Sequence, residues 1–297
     1  MFSGSMVAIV TPMTEDGGID WPAWDRLLDF HIQSDTDAIV VAGTTGESPS
    51  LTVAEIADLT RRAVNICRGR TRVVVGAGTH STATTIARVR DLSGLEVDGV
   101  LVVTPYYNKP PQEGLYRHFT AAADASAAPL ILYNVPSRTA VDLQPATVAR
   151  LAQHPRIVAV KEATGTRERT RDLVAACPAD FAVLSGDDAT NIECMSLGGH
   201  GVISVTANVA PRQMHDACAA ALAGDLARAR AIDADLQALH RDLFIEANPI
   251  PVKWAVAKLG LIGNAIRLPL VELSAIHRDT VARAMQIAGL TLEGQAA

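Results

Sequence analysis

Hydrophobic positions along this chain follow two alternating patterns. Short runs rich in aliphatic and β-branched residues recur at Met6 to Thr11, Ala38 to Ala42, Arg72 to Gly76, Gly99 to Val103, Pro129 to Asn134, Ile157 to Lys161, Ala182 to Ser185 and Gly201 to Ser204. Each is long enough for one strand and too short for a buried helix. Between them apolar residues return at helical spacing. Thr52 and Glu55 form a capping box ahead of Ile56, Leu59, Ala63 and Ile66, and Asp20 caps a helix that carries Pro22 in its first turn. Trp24, Leu27, Leu28 and Ile32 line one face of that first helix. From Ala210 onward the pattern is helical only, with an Ala- and Leu-rich stretch from Ala217 to Leu239 and an amphipathic one from Val252 to Leu259.

Strands that alternate with helices pair in parallel, and eight such units fit a closed barrel better than an open doubly wound sheet. The pattern predicts an α/β chain, a (β/α)8 TIM barrel over residues 1–220 followed by a C-terminal helical appendix over 221–297. A barrel of about 250 residues plus an appendix accommodates the 297 residues. No Gly/Ser- or Pro-rich linker separates the two parts, which predicts that the appendix packs on the barrel. Aromatic residues make up only 4%, so Val, Ile, Leu and Ala must fill the interior.

Charge narrows the function. A net charge of −6 without any basic stripe argues against a nucleic-acid partner. The sequence has neither a signal-peptide pattern nor an uninterrupted apolar span, so the expected location is cytoplasmic, with no membrane partner. Cys67, Cys177, Cys194 and Cys218 lack C-x-x-C spacing and are expected as reduced thiols. The histidines are scattered without an H-x-x-x-H pair, so no metal site is expected.

In a parallel barrel, reacting groups gather at the carboxyl ends of the strands. Lys161 closes the run Ile157-Val158-Ala159-Val160, which is apolar on both faces. Such surroundings oppose the ammonium form and favour a free amine able to attack a ketone. The plainer alternative is a lysine that snorkels to water or pairs with an acid. Gly43-Thr44-Thr45-Gly46-Glu47 is a glycine-flanked turn whose N–H groups and hydroxyls suit a carboxylate, though the glycines also suit an ordinary β-to-α turn. Tyr133 is placed either to relay protons to a lysine adduct or to fill the core with its hydroxyl satisfied. Arg138, after a proline turn, reads either as a fork for a carboxylate or as a solvated loop residue. Tyr106 and Tyr107 precede the stiff Asn108-Lys109-Pro110-Pro111 loop, where a subunit contact is an equal possibility.

Taken in order, these segments resemble the dihydrodipicolinate synthases, within the pyruvate-dependent class I aldolases that include N-acetylneuraminate lyase. The likeness runs through Met6 to Pro12, the Gly43 to Glu47 turn, Val103 to Asn108, Tyr133 to Thr139, Lys161 to Gly165 and Leu184 to Asp188. Gly198 to Asn208 and Asn248 to Trp254 extend it into the appendix. The resemblance implies that Lys161 forms a Schiff base with pyruvate and that Tyr133, Thr44 and Tyr107 relay protons. Thr45 would hold the pyruvate carboxylate, with the Ile203 carbonyl lining the same pocket, and Arg138 would bind the carboxylate of L-aspartate 4-semialdehyde. It also implies a homo-oligomer, a tetramer of tight dimers in which Tyr107 enters the partner's site, and no cofactor, because the imine is the electron sink.

Two departures stand out. Ala140 replaces the glycine that follows the family's Arg-Thr pair, a change that costs little unless the position needs positive φ. Relatives inhibited by lysine carry polar groups where this chain has Val53 and Ile56 and an acid where it has Thr84, and His80 stands where asparagine is usual; Ser48 and Tyr106 persist. Weak or absent lysine inhibition follows. Two rival readings remain open: a sialic acid or keto-acid lyase, disfavoured by Arg138, and a non-catalytic barrel, disfavoured by the intact Lys161, Tyr133, Thr44 and Tyr107 set.

Overall fold

The aliphatic runs form one closed parallel barrel in strict sequence order. In the computed structural model, which describes residues 1–292, the strands are β1 (Gly4–Ala8), β2 (Ala38–Val41), β3 (Arg72–Gly76), β4 (Gly99–Val103), β5 (Leu130–Asn134), β6 (Ile157–Glu162), β7 (Ala182–Ser185) and β8 (Gly201–Ser204). The intervening helices are α1 (Trp21–Gln33), α2 (Val53–Cys67), α3 (Thr82–Ser93), α4 (Gln112–Asp124), α5 (Pro136–Thr139), α6 (Pro145–Leu151), α7 (Arg167–Ala176) and α8 (Asn191–Ser196). After β8 come α9 (Pro211–Leu222), α10 (Leu226–Asp242), α11 (Ile250–Lys258) and α12 (Ala275–Ile287). Among the described residues no helix is long and apolar enough to cross a membrane.

Local chemistry accounts for the helix starts. The Asp20 side chain accepts from the Ala23 N–H at 3.0 Å, and Thr52 and Glu55 complete the capping box of α2. α1 buries Ala23, Trp24, Leu27, Leu28 and His31, while Ile32 sits at the edge of that face, half-buried. Strand ends shift where backbone groups find other partners. β1 stops at Ala8 because the next turn of chain is held by Asn208, whose Oδ1 accepts from the Val10 N–H at 2.9 Å. β2 stops at Val41 because Ala42 adopts φ 51°. A Cβ at Gly76 would lie 2.2 Å from the Ala42 carbonyl oxygen, so β3 passes this kink only as glycine.

Two apolar layers follow from the period of two. Met6, Ala8, Ala38, Val40, Val74, Leu101, Ile131, Tyr133, Ala159, Leu184 and Ile203 belong to the barrel interior, and the alternate residues pack under the helices. The helical run expected from Ala217 to Leu239 is broken at Gly224, where φ is 82°, and Asp225 caps α10. α11 departs from the amphipathic expectation. Ile250 to Val256 are all buried, because this helix is packed on every side, and its one charge there, Lys253, is neutralised by Glu47. All four cysteines are free, and burial raises their thiols to about 11 for Cys67, Cys177 and Cys194 and about 12 for Cys218.

Candidate active site

β5 and β6 lie side by side with Tyr133 opposite Lys161 and Asn134 opposite Glu162. A register shift decides which face each pair takes. Leu130 pairs with Ile157, but Ile131 pairs with Ala159, so Val158 is an extra residue in β6. Ile157 packs under the helices, whereas Val158 and Ala159 both touch the interior, and the alternation that resumes from Ala159 sends Lys161 inward. An unbulged strand starting from the same Ile157 would turn Lys161 outward.

The Lys161 side chain is buried, with Nζ 4.5 Å from the centroid of the Tyr133 ring. Among the described residues it makes no ion pair or hydrogen bond. Its neighbour Glu162 is engaged on the opposite face, accepting from Asn134 Nδ2 at 2.9 Å and from the Thr164 N–H at 2.7 Å. Burial pushes the Glu162 carboxyl up, against those hydrogen bonds and Arg169. Lys161 therefore neither snorkels nor pairs with an acid. Space for it comes from Gly186, just past β7, where a Cβ would lie 3.0 Å from Lys161 Cε and 2.7 Å from the Ala163 Cβ. The Tyr133 hydroxyl has no hydrogen-bond partner among the described residues, unlike the satisfied phenol of an ordinary core tyrosine.

The Gly43 to Glu47 turn lies at the carboxyl end of β2. Its Glu47 and Ser48 N–H groups close on Thr44 and Gly43 carbonyls at 3.1 and 3.3 Å. The N–H groups of Thr44 and Thr45 make no hydrogen bond among the described residues, which leaves two donors for an anion. Thr45 is buried and its Oγ1 accepts from Asn248 Nδ2 at 3.0 Å. Thr44 is half-buried, and Ile203 lies in the interior layer with Tyr133.

Arg138 sits on the one-turn helix α5 with Nη2 donating to the Asn248 carbonyl at 3.1 Å, and the rest of its exposed guanidinium is uncommitted. Two residues on, the condition under which alanine is costly is met. Ala140 has φ 57° and ψ 24°, so the position does require the left-handed region and alanine is strained there. Tyr107 is 91% exposed with φ 74°, so it stands apart from Tyr133 and Lys161 of its own chain. Tyr106 packs edge-on against His80 with ring centroids 5.3 Å apart. Of the positions compared for lysine inhibition, Val53 and Thr84 are exposed, but Ile56 is buried on the inner face of α2.

Residue-type reasoning assigned no role to Asn248, Lys253 or Gly186. The Asn248 to Trp254 run signalled that the appendix matters, and the contacts show how: Asn248 reaches Thr45, and Lys253 pairs with the buried Glu47 of the same turn. Burial pushes the Lys253 amine down, while the Glu47 charge opposes that shift. Arg267 secures the far side, pairing with Glu55 and donating to the Ser50 carbonyl at 2.8 Å.

A closed parallel barrel with a buried, acid-free lysine amine at a strand's carboxyl end defines an enzyme of the class I aldolase type. Comparison with known proteins narrows the class. The chain matches the Dihydrodipicolinate synthetase family over residues 1–288 and belongs to it. It is 56% identical over 292 residues to the 4-hydroxy-tetrahydrodipicolinate synthase of Nitrosomonas eutropha, covering 98% of this chain and 100% of that one. The synthase of Dechloromonas aromatica is 56% identical over 290 residues, covering 98% and 99%. Among solved structures, the chloride-inhibited dihydrodipicolinate synthase of Acinetobacter baumannii complexed with pyruvate superposes with a TM-score of 0.96 at 46% identity, covering 98% and 100%. That of Aquifex aeolicus gives 0.96 at 43%, covering 99% and 100%.

Proposed function

We propose that this chain condenses pyruvate with L-aspartate 4-semialdehyde to 4-hydroxy-tetrahydrodipicolinate, in the diaminopimelate route to lysine. Family membership over nearly the whole chain supports the activity. One structural observation supports the site assignment: the Lys161 amine is buried over the Tyr133 ring, with no acid paired to it among the described residues. In this reading the amine attacks the pyruvate carbonyl carbon, and loss of water gives a cationic imine. Tyr133 and Thr44, with Tyr107 of the partner subunit, carry the protons of that dehydration. The imine acidifies the methyl group, whose proton leaves to give an enamine. The enamine carbon bonds to the aldehyde carbon of the second substrate as the imine re-forms, and the aldehyde oxygen takes a proton to become the hydroxyl. The substrate's own amine then attacks the imine carbon, closes the ring and expels Lys161.

Two donors unspent in the Thr44-Thr45 turn and the Thr45 hydroxyl take the pyruvate carboxylate beside the Ile203 carbonyl, and Arg138 takes the carboxylate of the semialdehyde. No external cofactor is called for. The exposure of Tyr107 supports a homo-oligomer, a tetramer of dimers exchanging that residue, which sedimentation and a Tyr107→Phe variant test. The barrel is assigned to residues 1–220 and the appendix to 221–297, of which 293–297 lie outside the described residues, in a cytoplasmic enzyme.

Borohydride added with pyruvate tests the reading: a fixed mass increment on the peptide carrying Lys161, absent from Lys161→Ala, is expected. An unmodified Lys161, or faster cleavage of N-acetylneuraminate than condensation with the semialdehyde, would overturn it.

A further inference from the structure

We propose that Asn248 is a positioning residue for pyruvate: its amide donates to Thr45 Oγ1 and thereby turns the Thr45 hydroxyl proton toward the substrate carboxylate. The inference rests on the reading of the site given above and deepens it. A threonine hydroxyl has one proton to give and two lone pairs to receive with. Asn248 Nδ2 fills one lone pair at 3.0 Å. Thr45 is 2% exposed, and its hydroxyl donates to nothing among the described residues. A buried donor left without an acceptor is costly, so the arrangement is complete only when an anion arrives. The unspent N–H groups of Thr44 and Thr45 on the same turn offer that anion two further donors. Donors fixed before binding cost the substrate no reorganisation.

Asn248 also carries a mark of a functional rather than a packing amide. It is buried, yet its Oδ1 has no hydrogen-bond partner among the described residues. Most buried side-chain polar atoms have a partner, so an amide oxygen without one calls for an explanation. Among the described residues Thr45 alone holds the side-chain amide.

The residue touches the second carboxylate subsite by a different atom, its backbone carbonyl, which accepts from Arg138 Nη2 at 3.1 Å. Removing the side chain leaves that carbonyl in place. Side-chain substitutions therefore separate the two subsites, whereas general disruption of the segment would disturb both.

The test is a coupled assay with both substrates varied, on wild type, Asn248→Leu, Asn248→Asp, Thr45→Val and the Asn248→Leu/Thr45→Val double variant, each checked by thermal melting. Asn248→Leu should raise the pyruvate KM about tenfold, the worth of one misdirected charge-assisted hydrogen bond, with the semialdehyde KM changed less than about twofold. Asn248→Asp should raise the pyruvate KM further, because a carboxylate takes the Thr45 proton and repels the substrate. In the Thr45→Val background, Asn248→Leu should add less than about twofold. Equal rises in both KM values, an unchanged pyruvate KM, or additive losses in the double variant would overturn the proposal. Asn248→Ala supplies the same comparison should leucine prevent folding. A wild-type chain that forms no product would instead sink the assigned activity.

Discussion

Replacing Lys253 with methionine removes one half of an ion pair sealed between the appendix and the barrel. Both partners are buried, Lys253 at 1% and Glu47 at 2% exposure. Without the lysine, the Glu47 carboxylate keeps, among the described residues, one hydrogen bond, from the Arg267 N–H at 3.3 Å. Breaking a buried pair from one side costs about 3–5 kcal/mol, a large share of the roughly 5–15 kcal/mol that holds a domain folded. With an unfolding entropy of about 2.1 cal/mol/K per residue, that loss lowers the melting temperature by roughly 5–8 °C. The reverse deletion should be milder. Burial already pushes the Lys253 amine down, so in Glu47→Gln it can shed its proton and stay uncharged. The Glu47→Gln/Lys253→Met pair leaves no buried charge and should recover more than half of the single-variant loss. Urea denaturation of the four proteins measures all three differences. A Lys253→Met loss under about 1 kcal/mol, or a double variant weaker than the sum of its parts, would refute this account of how the appendix is fastened.

Other expectations can be checked on single variants. Ala140→Gly should stabilise the fold by about 0.5–1 kcal/mol in urea titration, since glycine removes the left-handed strain at φ 57° and returns part of the gain as chain entropy. Gly186→Ala should lower kcat more than it lowers the melting temperature, because the added methyl falls against Lys161 Cε and Ala163 Cβ. The Arg267 guanidinium holds the Glu55 carboxyl at about 2, below the ordinary 4.5; the stabilisation is present above pH 4.5 and lost as pH falls toward 2. Acid melting curves of wild type and Glu55→Gln should therefore converge across that window. Lysine should leave turnover nearly unchanged, since Val53 and Thr84 offer no charge to its amino groups and Ile56 is out of reach; submillimolar half-inhibition in the coupled assay would contradict this.

Much of the candidate site was readable from residue order because strand ends in a parallel barrel converge. Thr45, Tyr133 and Lys161 were placed by that rule and Ile203 only by the family resemblance, and each is buried at or beside the barrel interior. Asn248 and Lys253 escaped it. They sit some 200 positions from the turn they hold, and nothing local to Asn248-Pro249 or to Lys253 announces a partner so distant. The amphipathic reading of Val252 to Leu259 failed for a related reason: the helix is covered on all sides as far as Val256 and keeps no polar face there, and only its last turn, at Lys258, reaches solvent.

The sequence alone determined the number and order of the strands, their parallel pairing and the closure into a barrel, because those follow from local periodicity and the economy of burying two-faced apolar runs. It left undetermined which way Lys161 points. Ile157 to Val160 are apolar throughout, so either face of β6 satisfies the hydrophobic pattern equally. Only the paired strands decide, since β6 gains one residue at Val158 against β5 and a shift of one position exchanges the two faces of every residue beyond it. The lysine amine reaches the barrel interior through that extra residue, which no pattern along the chain marks.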